Sequence, residues 1–282
     1  MIYLFKYKGC RLIILMITFC TSWYSVKSKF EISAYRSWMA NILNHVNNFN
    51  LVIYTNKESY HVIEPLIEAN KKNCNLKVIF KEWNEFYTYK WKSEWISNHD
   101  KNDLLNDSSR YHTDWKLNML WNEKVFFVHD AMENQYFDSD WYGWCDIGYF
   151  RNSNTINWPN PYKTDKLNKN KIYYGLPGNK NTLNQLVRII LNKNENNMPV
   201  VPIPPNQVSI AGGFFITHKS SLKWWNNTYY TRLNEYFTNN YLVKDDQIII
   251  IDCIINDLKR FELIEEIDPR KDRWFVFQNF LI

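Results

Sequence analysis

The sequence predicts an α/β fold: a mostly parallel central sheet with helices on both faces. Two observations lead there. The first 82 residues read strand, helix, strand, helix, strand, and that alternation implies crossover connections within a parallel sheet. Short apolar runs then continue to alternate with helix-spaced segments towards the C-terminus. With 282 residues, 45% hydrophobic and 17% aromatic, the chain has material for a large core. We expect one domain spanning 1–282, since neither a repeat nor a linker interrupts it.

The first strand is read from CRLIILMITFC at 10–20, which is short, Ile-rich and bounded by polar residues. The same run follows Lys6 and Lys8, so the apolar part of a signal segment is the alternative. Its continuous apolar stretch, 12–19, falls well short of the roughly 20 residues that a spanning helix needs. No convincing small-residue cleavage site follows, so the strand is preferred.

In 31–49, Tyr35, Trp38, Met39, Ile42, Leu43 and Val46 recur at helical spacing. NLVIYT at 50–55 reads as a buried strand, 58–73 as a helix with Pro65 at its first turn or at a kink, and 75–82 as a third strand. The polar, Trp- and Tyr-rich stretch 83–110 is an irregular insertion or a short helix. Residues 112–133 read as two helices broken near Asn122. Then come strand 141–147, a polar loop at 148–170, strand 171–177 and helix 181–194. The Pro-rich 198–205 is unsuited to a central strand. Strand 207–219 carries Gly212 and Gly213 near its middle, and helices at 219–240 and 245–258 follow. FELIEEI and WFVFQNF, at 261–267 and 274–280, read as closing strands.

The net charge of +5 is scattered, without a basic block, so nucleic acid is not an expected partner. Five dispersed cysteines without C-x-x-C spacing argue against a disulfide framework or a zinc ribbon and favour a reducing compartment. The expected location is cytoplasmic, with a membrane-associated N-terminus as the alternative. No dinucleotide fingerprint, P-loop, zinc-hydrolase histidine pair or nucleophile elbow is present.

Chemistry concentrates around DSDWYGWCDIGYFR, 138–151. Ligands of open α/β sheets bind outside the carboxyl ends of the strands. Asp146 lies near such an end, ahead of Gly148, where a carboxylate can hold a divalent cation against phosphate oxygens. An Asp capping a turn is the alternative. Asp138 and Asp140 form a literal Asp-x-Asp, but they precede the strand and read as turn residues. Gly212 and Gly213 mark a close approach or a bulge. Asp245 and Asp246 stand at a helix start, as plain caps or as cleft acids. Among the basic residues of the central region, Arg110, Lys116, Lys124 and Arg151 are candidates to balance phosphate charge.

Together these segments resemble the HtrL/YibB-like glycosyltransferase family. The family's pattern is a helix with a Tyr and a Lys, then NPF, then an aromatic strand ending W-x-D-x-G-x-x-R. It is matched here by Tyr111, Lys124, NQYF, Trp144, Asp146, Gly148 and Arg151. The N-terminal segment up to YRSWM, NLVIYT, AGGFFITHKSSLKWW and DDQIII resemble its other segments in order. The resemblance implies a GT-A-like fold, a nucleotide-diphospho-sugar donor, a glycan or other hydroxyl acceptor, and Mn²⁺ or Mg²⁺ held by Asp146. It implies Asp245 or Asp246 in catalysis or sugar positioning and Gly212 and Gly213 under the donor sugar. Lys124 and Arg151 are expected near phosphate, Trp144 in the motif strand, and Tyr54 and Thr55 against the nucleotide. The chain departs from the broader pattern in offering one carboxylate at the motif and no His after His218. A non-catalytic protein that binds carbohydrate or nucleotide sugar is therefore the second reading, and a glycoside hydrolase with a carboxyl pair the third.

Overall fold

The computed structural model describes residues 16–44, 48–70, 75–109, 112–152 and 158–282. Residues 10–15 of the first expected strand, with Cys10, lie outside the described residues, as do His45, Cys74, Arg110 and Tyr111.

In chain order the elements are β1 (Ile17–Trp23), α1 (Ile32–Asn44), β2 (Phe49–Thr55), α2 (Lys57–Asn70), β3 (Asn75–Phe80), α3 (Lys92–Asp100) and α4 (Asp103–Asn106). They continue with α5 (Trp115–Glu133), β4 (Trp141–Cys145), α6 (Pro161–Thr164), β5 (Ile172–Gly175) and α7 (Lys180–Leu191). The chain closes with β6 (Ala211–His218), α8 (Lys219–Thr238), α9 (Asp246–Asn256), β7 (Phe261–Ile264) and α10 (Phe277–Phe280).

The strands form one seven-stranded sheet in the order β3-β2-β1-β4-β6-β5-β7. Every neighbouring pair is parallel except the two that involve β6. The expected class, α/β with a mostly parallel sheet, is what the chain adopts. β1 and β2 are buried on both sides because both faces of the sheet are covered. One buried cluster joins α5, α7, α8 and α9 to the sheet, and a second joins α1, α2 and the C-terminal segment to the other face. β3 is an edge strand, and none of its residues is fully buried.

Three expectations need correction. The 112–133 segment holds one unbroken helix from Trp115 to Glu133. Asn122, the expected break, is satisfied inside it: its amide donates to the Asn118 carbonyl, and its side-chain oxygen accepts from the Tyr229 hydroxyl at 2.6 Å. Residues 274–280 form no strand. They make a 3-10 turn, capped by Asp272, and the short α10. Phe277 stacks on Phe214 at 4.3 Å between centroids, and its carbonyl accepts from Trp158, so apolar burial is met by a plug against the sheet face. Finally, the glycine pair lies at the start of β6 rather than near a strand's middle. The 83–110 stretch contains two 3-10 turns besides α3 and α4. Among the described residues, no helix is long and apolar enough to cross a membrane.

Candidate active site

The strand order creates the site. β1 is flanked by β2 on one side and β4 on the other, so the crossovers change direction at the β1–β4 junction. At such a point the chain leaves the carboxyl ends of two neighbouring strands in opposite directions and opens a crevice. Here a cavity of about 620 Å³ is lined by Ser22, Trp23 and Tyr24 at the end of β1 and by Asp146 to Tyr149 after β4. β6 runs the other way, so its first residues, Gly212 and Gly213, reach the same edge. The backbone N–H of Asp146 donates to the Gly213 carbonyl at 2.8 Å, extending the β4–β6 ladder by one bond.

α5 supplies the opposite wall. Leu117, Leu120, Trp121 and Lys124 all line the cavity, a spacing that places them on one helical face. The Lys124 ammonium donates to the Gly212 carbonyl at 2.9 Å. It also lies 3.2 Å from Asp146 Oδ1 and 3.0 Å from Asp246 Oδ2. Burial pulls the pKa of Lys124 down, but the two carboxylates outweigh it and hold the group above its ordinary value. Burial pushes the Asp246 carboxyl up to about 6, against the attraction of Lys124.

The two acids differ in access. The Asp146 side chain is 42% exposed, that of Asp246 only 6%. Asp146 therefore faces the cavity, oriented by a 2.5 Å hydrogen bond from the Trp144 indole N–H. Asp245 occupies the cap position of α9, yet its side chain makes no cap hydrogen bond. It pairs with Lys244 at 2.5 Å, and its Oδ1 is buried without a hydrogen-bond partner among the described residues. It lines the cavity, so the plain-cap alternative does not describe it.

The glycine pair has a local cause. A Cβ on Gly212 would stand 2.8 Å from Asp246 Oδ2, and one on Gly213 3.1 Å from Asp146 Oδ2. The missing side chains make room for the two carboxylates.

Arg151 lines the cavity beyond Asp146. Its guanidinium stacks 3.4 Å from the centre of the Trp38 ring, with Phe30 and Phe275 at 5.3 and 5.5 Å. Burial lowers its pKa, and its Nε is buried without a hydrogen-bond partner among the described residues. A planar cation held by aromatic rings, with no carboxylate in ion-pair range among the described residues, is suited to an anionic ligand.

Eight of the expected site residues thus meet in one cavity: Lys124, Trp144, Asp146, Arg151, Gly212, Gly213, Asp245 and Asp246. Tyr54 and Thr55 do not. Tyr54 is fully buried, with its hydroxyl bound to the Phe127 carbonyl and to Asp130, and the Thr55 hydroxyl donates to the Trp23 carbonyl. The strand end that opens on the cavity is that of β1, because β1 and not β2 borders β4. Lys116 lies outside the cavity, near the Trp83 and Trp115 rings. Asp140 pairs with Lys219 at 2.7 Å at the amino end of β4, so the literal Asp-x-Asp faces away from the site. Sequence reasoning missed Lys29, Tyr35, Asp272 and Trp274, which also line the cavity, as does Gln247 beside Asp246. Lys29 lies six residues beyond β1, but that signal depends on knowing which strand ends open together.

The expected Mn²⁺ or Mg²⁺ can be tested against these groups. Among the described residues no three His, Cys, Asp or Glu side chains converge as a metal site. Asp146 and Asp246 do converge on one point with the Gly212 carbonyl, but the Lys124 ammonium fills that point. The residues present do not fit a divalent ion there while Lys124 is seated.

A mostly parallel sheet with one reversed strand, helices on both faces and a crevice at the switch point define the fold as open α/β. Among solved structures, the chain is similar to the crystal structure of mouse xyloside xylosyltransferase 1 in its apo form, with a TM-score of 0.44 and 13% identity over 89% of this chain and 85% of that one. It is also similar to 4-diphosphocytidyl-2C-methyl-D-erythritol synthase from Anaerococcus prevotii, with a TM-score of 0.39 and 10% identity over 94% of this chain and 98% of that one. No protein-family model matches the sequence, and no curated protein matches it.

Proposed function

We propose that this chain is a glycosyltransferase. It moves a sugar from a nucleotide-diphospho-sugar donor to a hydroxyl on a glycan, a lipid-linked glycan or a protein. The observation that carries this reading is the switch-point cavity, where an accessible carboxylate, Asp146, stands with the aromatic-caged Arg151 on the same wall. A cavity of about 620 Å³ suits a nucleotide-sized ligand.

In this reading Arg151 binds the diphosphate, for which a planar guanidinium provides paired donors. Lys29 also lines the cavity and adds positive charge near the same ligand. Trp144 and Lys124 hold the Asp146 carboxylate in place. Asp146 accepts from a hydroxyl of the donor sugar or the acceptor. Asp245 presents a buried, unpartnered carboxylate oxygen and is the candidate for a further hydroxyl. A positioned carboxylate can act as general base only within hydrogen-bond reach of the proton it takes.

The test has two parts. A thermal-shift screen of UDP- and GDP-sugars should identify a donor, since a ligand that binds only the folded state raises its stability. Slow hydrolysis of that donor should then fall by about 10²-fold or more in Asp146→Ala, without loss of folded protein. A second reading is a binding protein that keeps the fold without catalysis. The pairing of both Asp146 and Asp246 with Lys124 favours it. Donor binding with no hydrolysis by the wild type, under any acceptor, would select that reading. No donor binding at all rejects the transferase and leaves, of the second reading, only a carbohydrate-binding protein.

A further inference from the structure

We propose that the Lys124 ammonium is the resident cation of the cleft, standing where a divalent ion would otherwise bridge Asp146 and Asp246, so that nucleotide sugars bind without Mn²⁺ or Mg²⁺. The nucleotide part of this proposal rests on the transferase reading above; the cation part stands on the geometry alone.

Three oxygens meet the ammonium: Asp146 Oδ1 at 3.2 Å, Asp246 Oδ2 at 3.0 Å and the Gly212 carbonyl at 2.9 Å. Carboxylates and a backbone carbonyl are the donor set that hard divalent cations prefer. An ammonium has three N–H donors and no acceptor, so one lysine can meet all three oxygens. Its partners come from separate elements: Lys124 from α5, Asp146 from the end of β4, Gly212 from β6 and Asp246 from α9. The cation thus ties together the parts of the sheet and the helices that form the crevice.

The surroundings are built to this arrangement. Gly212 and Gly213 leave the space in which the two carboxylates reach the lysine. The indole of Trp144 also donates to Asp146 Oδ1, so that oxygen is already engaged twice. Lys124 and Asp246 are both buried, and charges withdrawn from water persist when they are paired and hydrogen-bonded. A divalent ion bound to the same oxygens would lie within a few ångströms of the ammonium and be repelled by it.

The experiment uses the full-length chain, stripped with EDTA and titrated with Mn²⁺ alone, with free Mn²⁺ followed by electron paramagnetic resonance. The wild type should show no saturable site. Lys124→Ala, which vacates the point between the oxygens, should bind Mn²⁺ at least about tenfold more tightly than the wild type. Adding Asp146→Asn to that variant should remove the gain. In calorimetry, UDP or GDP should bind the wild type equally well with EDTA or with Mn²⁺.

A saturable wild-type Mn²⁺ site that disappears in Asp146→Asn overturns the proposal. So does a folded Lys124→Ala, checked by circular dichroism, that gains no Mn²⁺ affinity. Lys124→Gln is the second variant, because it removes the charge while keeping a polar side chain with an N–H donor. If neither variant folds, the wild-type titration decides: no saturable site upholds the proposal, and a site lost in Asp146→Asn ends it. Mn²⁺ is read without nucleotide, so a chain that binds no nucleotide sugar still answers the cation question.

Discussion

Gly212 and Gly213 show how much depends on a single missing atom. Each faces a carboxylate, but the two acids differ in freedom. Asp246 is buried and pinned by Lys124, while Asp146 is partly open to the cavity. Gly212→Ala should therefore force Asp246 off its partner and destabilise the fold by about 1–3 kcal/mol. Gly213→Ala meets an oxygen that can yield, and should cost under about 1 kcal/mol in unfolding. Urea unfolding of the two variants measures the difference, and equal losses would contradict this account of the pair. The sequence marked both glycines as a close approach or a bulge; the close approach is by carboxylates of the chain itself. It also marked Lys124 as a partner for phosphate. Its partners are acids, because the fold brings α9 and the end of β4 to the same ammonium, and spacing along the chain carries no trace of that meeting.

Helix α5 was expected in two pieces, and its continuity has a cause in its neighbour. Asn is a poor helix former when its amide competes for backbone groups. At Asn122 the amide is used within the helix, while the hydroxyls of Tyr229 and Tyr230 on α8 meet its side-chain oxygen and its carbonyl. Asn122→Ala should leave the buried Tyr229 hydroxyl without its acceptor and cost about 1–3 kcal/mol. Adding Tyr229→Phe should recover much of that loss, since both polar partners are then gone. A neutral Asn122→Ala in thermal or urea unfolding would show that the contact contributes nothing. The C-terminal segment teaches the same lesson from the other side. WFVFQNF has the composition of a strand, but β7 already lies at the edge beside β5, and the segment instead buries Phe277 against Phe214. Its apolar residues were legible, while the shape they take depended on the gap left over the sheet.

The molecule as a whole buries ionisable groups at the cleft and beneath it, and this makes its stability depend on pH. The carboxyl of Asp246 is raised by burial from 3.8 to about 6. Its folded form therefore binds a proton more readily than its unfolded form. The cost of keeping it ionised is fully present above about pH 6 and is relieved as pH falls towards 3.8. Glu123, raised by burial to about 7 despite hydrogen bonds from Thr88 and Tyr87, acts in the same direction. Asp246→Asn removes the first contribution. Melting temperatures of the wild type and this variant, compared from about pH 8 to about pH 5, should show the wild type gaining relative to the variant as pH falls. Parallel profiles would mean that Asp246 titrates at its ordinary value.

Local pattern was enough to place most of the strands and helices and to single out Asp146, since periodicity and strand-end position are written in neighbouring residues. The family resemblance, not the pattern, implied that Gly212, Gly213 and Asp245 or Asp246 gather with Asp146 around one ligand. Strand-end position misplaced Tyr54 and Thr55 because strand order is not a local property. Both β1 and β2 read as buried strands, but only β1 pairs with β4 and opens on the crevice. The central ion cluster was equally out of reach. Lys124, Asp146, Gly212 and Asp246 are far apart along the chain, and what brings them within hydrogen-bond distance is the reversed strand β6, which carries Gly212 to the edge where β4 ends.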